Sequence, residues 1–218
     1  MKKWYSPGSL ALALVLVLLI ISMSVVVTLN FRPLYYHDMK ALEISESTGI
    51  PEEVIKENYD ILIDYNSMFY DGELEFPDFR MSENGRIHFE EVKVIFVAFQ
   101  KIALATLVLA IVGIVLKARK KDYSYLIPAS ALSIGIPVVL GVFIALNWDR
   151  VFVLFHELMF NNDYWIFDYR TDPIIMILPD KFFMHCAIMI LDGVVMGAMI
   201  CLVVDRVIER RARKRNEK

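Results

Sequence analysis

Residues 8–29 read GSLALALVLVLLIISMSVVVTL, twenty-two positions without a charge. As a helix this run rises about 33 Å, enough to cross a hydrocarbon core of about 30 Å. In lipid each backbone N–H and C=O must find its partner inside the segment, so the run is a helix. Three further windows are long and predominantly apolar: residues 94–116, 124–146 and 182–204. The third contains Pro128, Gly135, Pro137 and Gly141, which predict kinks and close packing without ending the span. The composition agrees. At 57% hydrophobic and a mean hydropathy of +0.49, the chain is too apolar for a soluble domain of its length. The expected fold is an all-α polytopic membrane protein, a single membrane domain over residues 1–218 with four transmembrane helices. The start, Met1-Lys2-Lys3, resembles a signal-peptide n-region. The apolar run exceeds an h-region, however, and no A-x-A site follows, so residues 8–29 are read as an anchor.

Charge orients the spans. Lys2 and Lys3 precede span one, KARKK at residues 117–121 joins spans two and three, and the basic tail 205–218 follows span four. All lie on one side, which the positive-inside rule makes cytoplasmic, so both termini are expected there. The opposite side receives a cap segment, residues 30–92, and an outer interfacial segment, residues 147–181, both rich in Asp and Glu. Tyr35, Tyr36, Tyr123, Tyr125, Trp148 and Trp165 fall near span ends and read as interfacial aromatics. In the cap, STGIPEEVIKENYDILIDYN (residues 47–66) predicts a helix with Ser47 or Thr48 as its N-cap and Ile50, Val54, Ile55, Ile61 and Leu62 on its apolar side. In the outer segment a short interfacial helix before span four is expected, with Asp149, His156 and Asp163 on one stripe at i, i+7 and i+14.

At the mouth of span two stands NGRIHFEEVK, residues 84–93. Charged side chains in such a place commonly only snorkel. A lone histidine on an apolar stretch, as His156 is, is more often a hydrogen-bonded core residue than a catalyst. Together His88 and His156 read differently, because both fall at the outer membrane level beside carboxylates. His88 and Glu91, at i and i+3, share a helix face, so Glu91 is expected to orient the imidazole. His37 and His185 lack such company. Gln100, Lys101 and Asp192 are polar positions inside spans; Lys101 and Asp192 are expected to pair within the bundle, with Gln100 lining the same region.

Several chemistries are excluded. HELMF has Phe160 where a zincin needs its second histidine. There is no Gly-x-Ser-x-Gly elbow and no phosphate-cradling glycine loop. Cys186 and Cys201 lie about four turns apart on one element, cannot pair with each other, and form no metal pattern with the histidines. Basic residues cluster only at the cytoplasmic ends, where they serve topology and anionic lipid rather than nucleic acid.

The four-span layout, STGIP in the cap, HFEEVK at the mouth of span two and FHELMFNNDYWIFD before span four resemble the bacterial lipoprotein intramolecular transacylases over nearly the whole chain. The family's first motif usually reads His-x-x-Asp-Val-Lys; here Glu91 stands at the Asp position. The resemblance implies cofactor-free transfer of the sn-2 acyl chain of an S-diacylglyceryl lipoprotein to the α-amino group of its N-terminal cysteine, giving the lyso-form. The site would lie near the outer leaflet of the bacterial cell membrane. Diacylglyceryl-modified lipoproteins and membrane lipid would be the partners. His88 and His156 would be catalytic, without a metal, and Arg86, Asn161 or Asn162 would offer donors to the developing oxyanion. Two other classes compete: a metal-dependent membrane hydrolase using the same histidines with nearby carboxylates, and a non-enzymatic transport subunit built on Lys101 and Asp192.

Overall fold

The computed structural model describes residues 6–216, and all regular structure among them is helical. Lys2 and Lys3, which weigh in the orientation, and Glu217 and Lys218 of the basic tail lie outside the described residues. The helices are α1 (Pro7–Asn30), α2 (Arg32–Ala41), α3 (Ile44–Thr48), α4 (Glu52–Tyr65), α5 (Glu83–Arg119), α6 (Leu126–Leu146), α7 (Trp148–Met159) and α8 (Asp180–Asn216), with a 3₁₀ turn at Pro173–Ile177. Four of them, α1, α5, α6 and α8, are long and apolar enough to cross a membrane. Pro137 sits inside α6 without ending it, as expected where lipid offers the backbone no alternative partner.

The chain forms two compact units. One comprises the residues up to 25, 101–142 and those from 189 on; the other comprises residues 26–100 and 143–188. The first unit packs Leu12, Ala13 and Leu16 of α1 with Ala110 of α5, Ala129 of α6 and Cys201 of α8. Small residues permit it. A Cβ at Gly113 would come within 2.6 Å of Leu12, and one at Gly197 within 2.7 Å of Ile20. Close approach of this kind is how helices gain dispersion energy where lipid removes the hydrophobic drive. One end of this unit is tied by Lys117, whose Nζ donates to Ser9 Oγ and to Asp122, each at 2.6 Å.

The second unit holds α2, α3, α4 and α7. Its core stacks Tyr35 on Tyr59 at 3.6 Å between ring centroids, with Phe182 edge-on to both. Tyr35 is fully buried and its hydroxyl donates to the Ile177 carbonyl at 2.7 Å. It is a core residue, not the interfacial aromatic its place near a span end suggested, because a buried phenol is held by one carbonyl that only this fold brings to it. The expected N-cap also moves. Thr48 ends α3 and donates to the Ile44 carbonyl, Gly49 closes that helix at φ +71°, and Pro51 occupies the N-cap of α4. The stop signal at Gly49 and the extended bias of the residue before proline together outweigh the capping preference of Ser47 and Thr48.

The start of α5 is set by contacts distant in sequence. Buried Asp172 accepts from the Ser82 backbone N–H at 2.7 Å and from the Thr171 hydroxyl at 2.7 Å, while Ser82 Oγ caps the Gly85 N–H at 3.0 Å. A side chain at position 85 would collide with the Asp172 carboxylate, which accounts for glycine there. The α7 helix begins at Asn147, whose side chain accepts from the Arg150 N–H at 3.0 Å. It ends one turn earlier than the proposed stripe requires. Phe160 is extended, so Asp163 leaves the helical face that carries Asp149 and His156.

Candidate active site

His88 on α5 and His156 on α7 meet within the second unit, their ring centroids 6.1 Å apart and their planes 32° from parallel. His156 Nδ1 lies 2.7 Å from the carbonyl oxygen of Phe152, one turn earlier. A carbonyl only accepts, so Nδ1 carries the proton, and in the neutral ring Nε2 holds the lone pair. Trp165 stacks on the same imidazole at 4.7 Å and Phe152 lies at 4.3 Å. Trp165, whose place near a span end suggests an interfacial aromatic, is a wall of this site.

His88 sits two residues past Arg86 in α5, ahead of the apolar window 94–116, and is 6% exposed. Phe160 and Phe167 approach it edge-on at 4.8 and 5.4 Å. Its Nδ1 is buried without a hydrogen-bond partner among the described residues. Burial, and secondarily the neighbouring His156, push the His88 imidazole down to about 4. Burial also lowers His156, partly offset by its bond to the Phe152 carbonyl. Both rings are therefore neutral at pH 7: one offers a lone pair, and the other is buried in an aromatic wall.

Glu91 does not hydrogen-bond His88. Its carboxylate accepts from Asn162 Nδ2 at 2.9 and 3.2 Å, and Asn162 Oδ1 in turn accepts from the Tyr164 N–H at 3.1 Å. A carboxylate on a helix edge takes the amide donor within reach, and here that donor comes from the loop after α7, which sequence spacing on α5 could not reveal. Glu91 therefore ties α5 to the loop carrying Phe160 and Trp165. Truncating either Glu91 or Asn162 to alanine is expected to reduce activity about tenfold, with the double variant little worse than one alone. Full additivity in a double-mutant cycle would break the proposed coupling.

The other sequence candidates divide. Arg86 pairs with Glu83 at 2.5 Å and with Glu90, on an exposed part of α5, and Asn161 is exposed. Gln100 donates to the Asn66 carbonyl at 2.8 Å and accepts from the Met68 N–H at 3.0 Å, closing the turn after α4. Lys101 and Asp192 do not pair: both are exposed, and neither makes an ion pair among the described residues. Each lies on a face of its own helix turned away from the packed core, a choice of rotation that depth in the span does not determine.

His185 has a partner that sequence spacing does not show. Its Nδ1 donates to the buried Asp38 carboxylate at 2.7 Å, and exposed His37 approaches the other oxygen at 3.4 Å. This clasp joins α2 to α8 within the second unit. His185→Ala strands a buried carboxylate, so the expected result is a lower melting temperature with acyl transfer per folded molecule retained. Loss of turnover in fully folded His185→Ala would instead move this residue into the chemistry.

A family model described as lipoprotein intramolecular transacylase Lit matches residues 10–183. The chain is similar to the in meso structure of the membrane-integral lipoprotein intramolecular transacylase Lit from Bacillus cereus, at 39% identity and a TM-score of 0.93, covering 95% of this chain and 96% of that one. Two variants of the Bacillus cereus protein, with a histidine replaced by arginine or by alanine, match at 38% identity and a TM-score of 0.85; each covers 95% of this chain, and 92% and 94% of the respective variant chain. No curated protein sequence matches the chain.

Proposed function

The chain belongs to the lipoprotein intramolecular transacylase family, and we propose that His88 and His156 are the pair through which it works. It is a multi-pass membrane acyltransferase that carries out intramolecular acyl transfer on lipoproteins. The finer reading is transfer of the sn-2 acyl chain to the α-amino group of the N-terminal cysteine, at the outer leaflet, with both termini cytoplasmic. The observation that carries it is the meeting of two imidazoles in an aromatic wall, one with its Nδ1 held by the Phe152 carbonyl.

The reaction needs a base, a donor and a constrained geometry. The α-ammonium, with a reference pKa of about 8, must lose a proton before its nitrogen can attack. His156 Nε2 accepts it, because Nδ1 is already occupied as a donor. The C–N bond then forms at the sn-2 carbonyl through a ring of eight atoms in the substrate, counted from the α-nitrogen through Cα, Cβ, sulfur and two glyceryl carbons to the ester oxygen and carbonyl carbon. The ester C–O bond breaks, and the glyceryl oxygen takes a proton. His88, neutral and with Nδ1 enclosed, presents its other ring nitrogen as an N–H donor toward the developing oxyanion or the departing oxygen. Amine and ester belong to one molecule, so holding a near-attack conformer supplies much of the rate, and Phe152, Phe160, Phe167 and Trp165 are the rigid walls that would hold it.

The test is mass spectrometry of a lipoprotein's N-terminal peptide from cells with and without this protein. An N-acyl, S-monoacylglyceryl peptide that appears only with the protein, in the presence of chelator, is the expected result. Release of free fatty acid without N-acylation, or loss of activity restored by zinc, would favour the metal-dependent hydrolase.

A further inference from the structure

Lys101 and Asp192 carry opposite charges inside the apolar windows 94–116 and 182–204. Span three alone lies between spans two and four, so these two run in the same direction and depth counts from the same membrane face. Lys101 lies seven residues into its window, about 10 Å deep, and Asp192 ten residues into its own, about 15 Å deep. Both are exposed and unpaired by ion pairs among the described residues. Lysine can stretch toward the interface, but aspartate, with one methylene, cannot climb from near the bilayer midplane.

Each charge heads a helix face that is otherwise apolar. Asp192, Met196, Met199 and Val203 fall at i, i+4, i+7 and i+11 and form one exposed face of α8. Lys101 is followed on α5 by exposed Leu104, Val108, Ile111 and Val115 at i+3, i+7, i+10 and i+14. Acyl chains can cover such faces but bring no counter-charge to this depth. The complement is present in the chain itself: the opposite charge, on a helix crossing in the same direction, within about 5 Å in depth. That offset is within the reach of a lysine side chain.

We propose that these faces join two copies of the chain, Lys101 of one α5 pairing with Asp192 of the partner subunit on the exposed α8 face. In a two-fold dimer the pair forms twice. The full chain, reconstituted in phosphatidylethanolamine and phosphatidylglycerol vesicles, should be dimeric in single-molecule photobleaching over a range of dilutions. Lys101→Met and Asp192→Asn should each weaken association about tenfold. The exchanged pair, Lys101→Asp with Asp192→Lys, should recover it. Met199→Trp, which adds bulk to the α8 face without touching either charge, should weaken it too. Melting temperatures close to wild type identify variants that are folded. A wild-type chain that stays monomeric, or folded Lys101→Met, Asp192→Asn and Met199→Trp variants that associate as wild type does, would overturn the proposal.

Discussion

His156→Ala is expected to lower formation of the lyso-form lipoprotein by about 10²–10⁴-fold, the range over which a positioned general base contributes. The ring removed is the one whose tautomer is fixed. Its Nδ1 proton goes to the Phe152 carbonyl, leaving Nε2 for the substrate ammonium. No other side chain can take over by a small shift. His88 is a weak base, pushed down to about 4 by burial, and the Glu91 carboxylate is held by Asn162. The fold should tolerate the change, since α7 contributes no fully buried residue. The decisive measurement is the rate of N-acyl lipopeptide formation by purified, folded variant. His156→Gln should be nearly as inactive, because an amide can mimic a hydrogen bond but cannot accept the proton. A folded His156→Ala enzyme within a few-fold of wild type would remove His156 from the reaction.

Much of this architecture was legible because a bilayer leaves the chain few choices. An uncharged run such as residues 8–29 has one stable form in lipid, and the run alone fixes it. The two histidines were legible for a related reason: His88 and His156 are titratable groups at span ends, where apolar surroundings make such groups conspicuous. What spacing could not supply was partnership between distant segments. Glu91 is three residues from His88 yet bonds Asn162, seventy-one residues away. Asp172 organises the start of α5 from ninety residues beyond Ser82. His185 finds Asp38 across 147 positions. The aromatic walls were hidden differently. Trp165 near a span end looks the same in sequence whether it faces headgroups or an imidazole, and only the extended turn at Phe160 brings it against His156. For Lys101 and Asp192 the residues and depths were legible, but their rotation about α5 and α8 was not. It places both outside the packed core.

His88→Ala should cost about 10²–10³-fold, the penalty for losing one preorganised donor to a developing oxyanion. Its ring is buried and its Nδ1 unpartnered, so the other nitrogen is the one available to the substrate. His88→Ala and His156→Ala combined should be little slower than the worse single variant, because base and donor act on one transition state. Acid provides an independent check. Folded His88 takes up its proton only near 4, whereas an unfolded chain does so near 6.5. Between these values the unfolded state binds more protons, so stability is full above about pH 6.5 and is lost as pH falls toward 4. The melting temperature of the wild type should fall across that window, and His88→Gln, which cannot take up a proton, should flatten the fall. Turnover should follow the same sign. Both rings are pushed below the ordinary imidazole range, so the enzyme's acid limb in kcat should lie below pH 6.5. His88→Gln keeps an N–H donor and should retain part of the activity that His88→Ala loses. Equal activity of the two variants would mean that the ring is needed for something other than its donor, and wild-type activity in folded His88→Ala would remove His88 from the chemistry altogether.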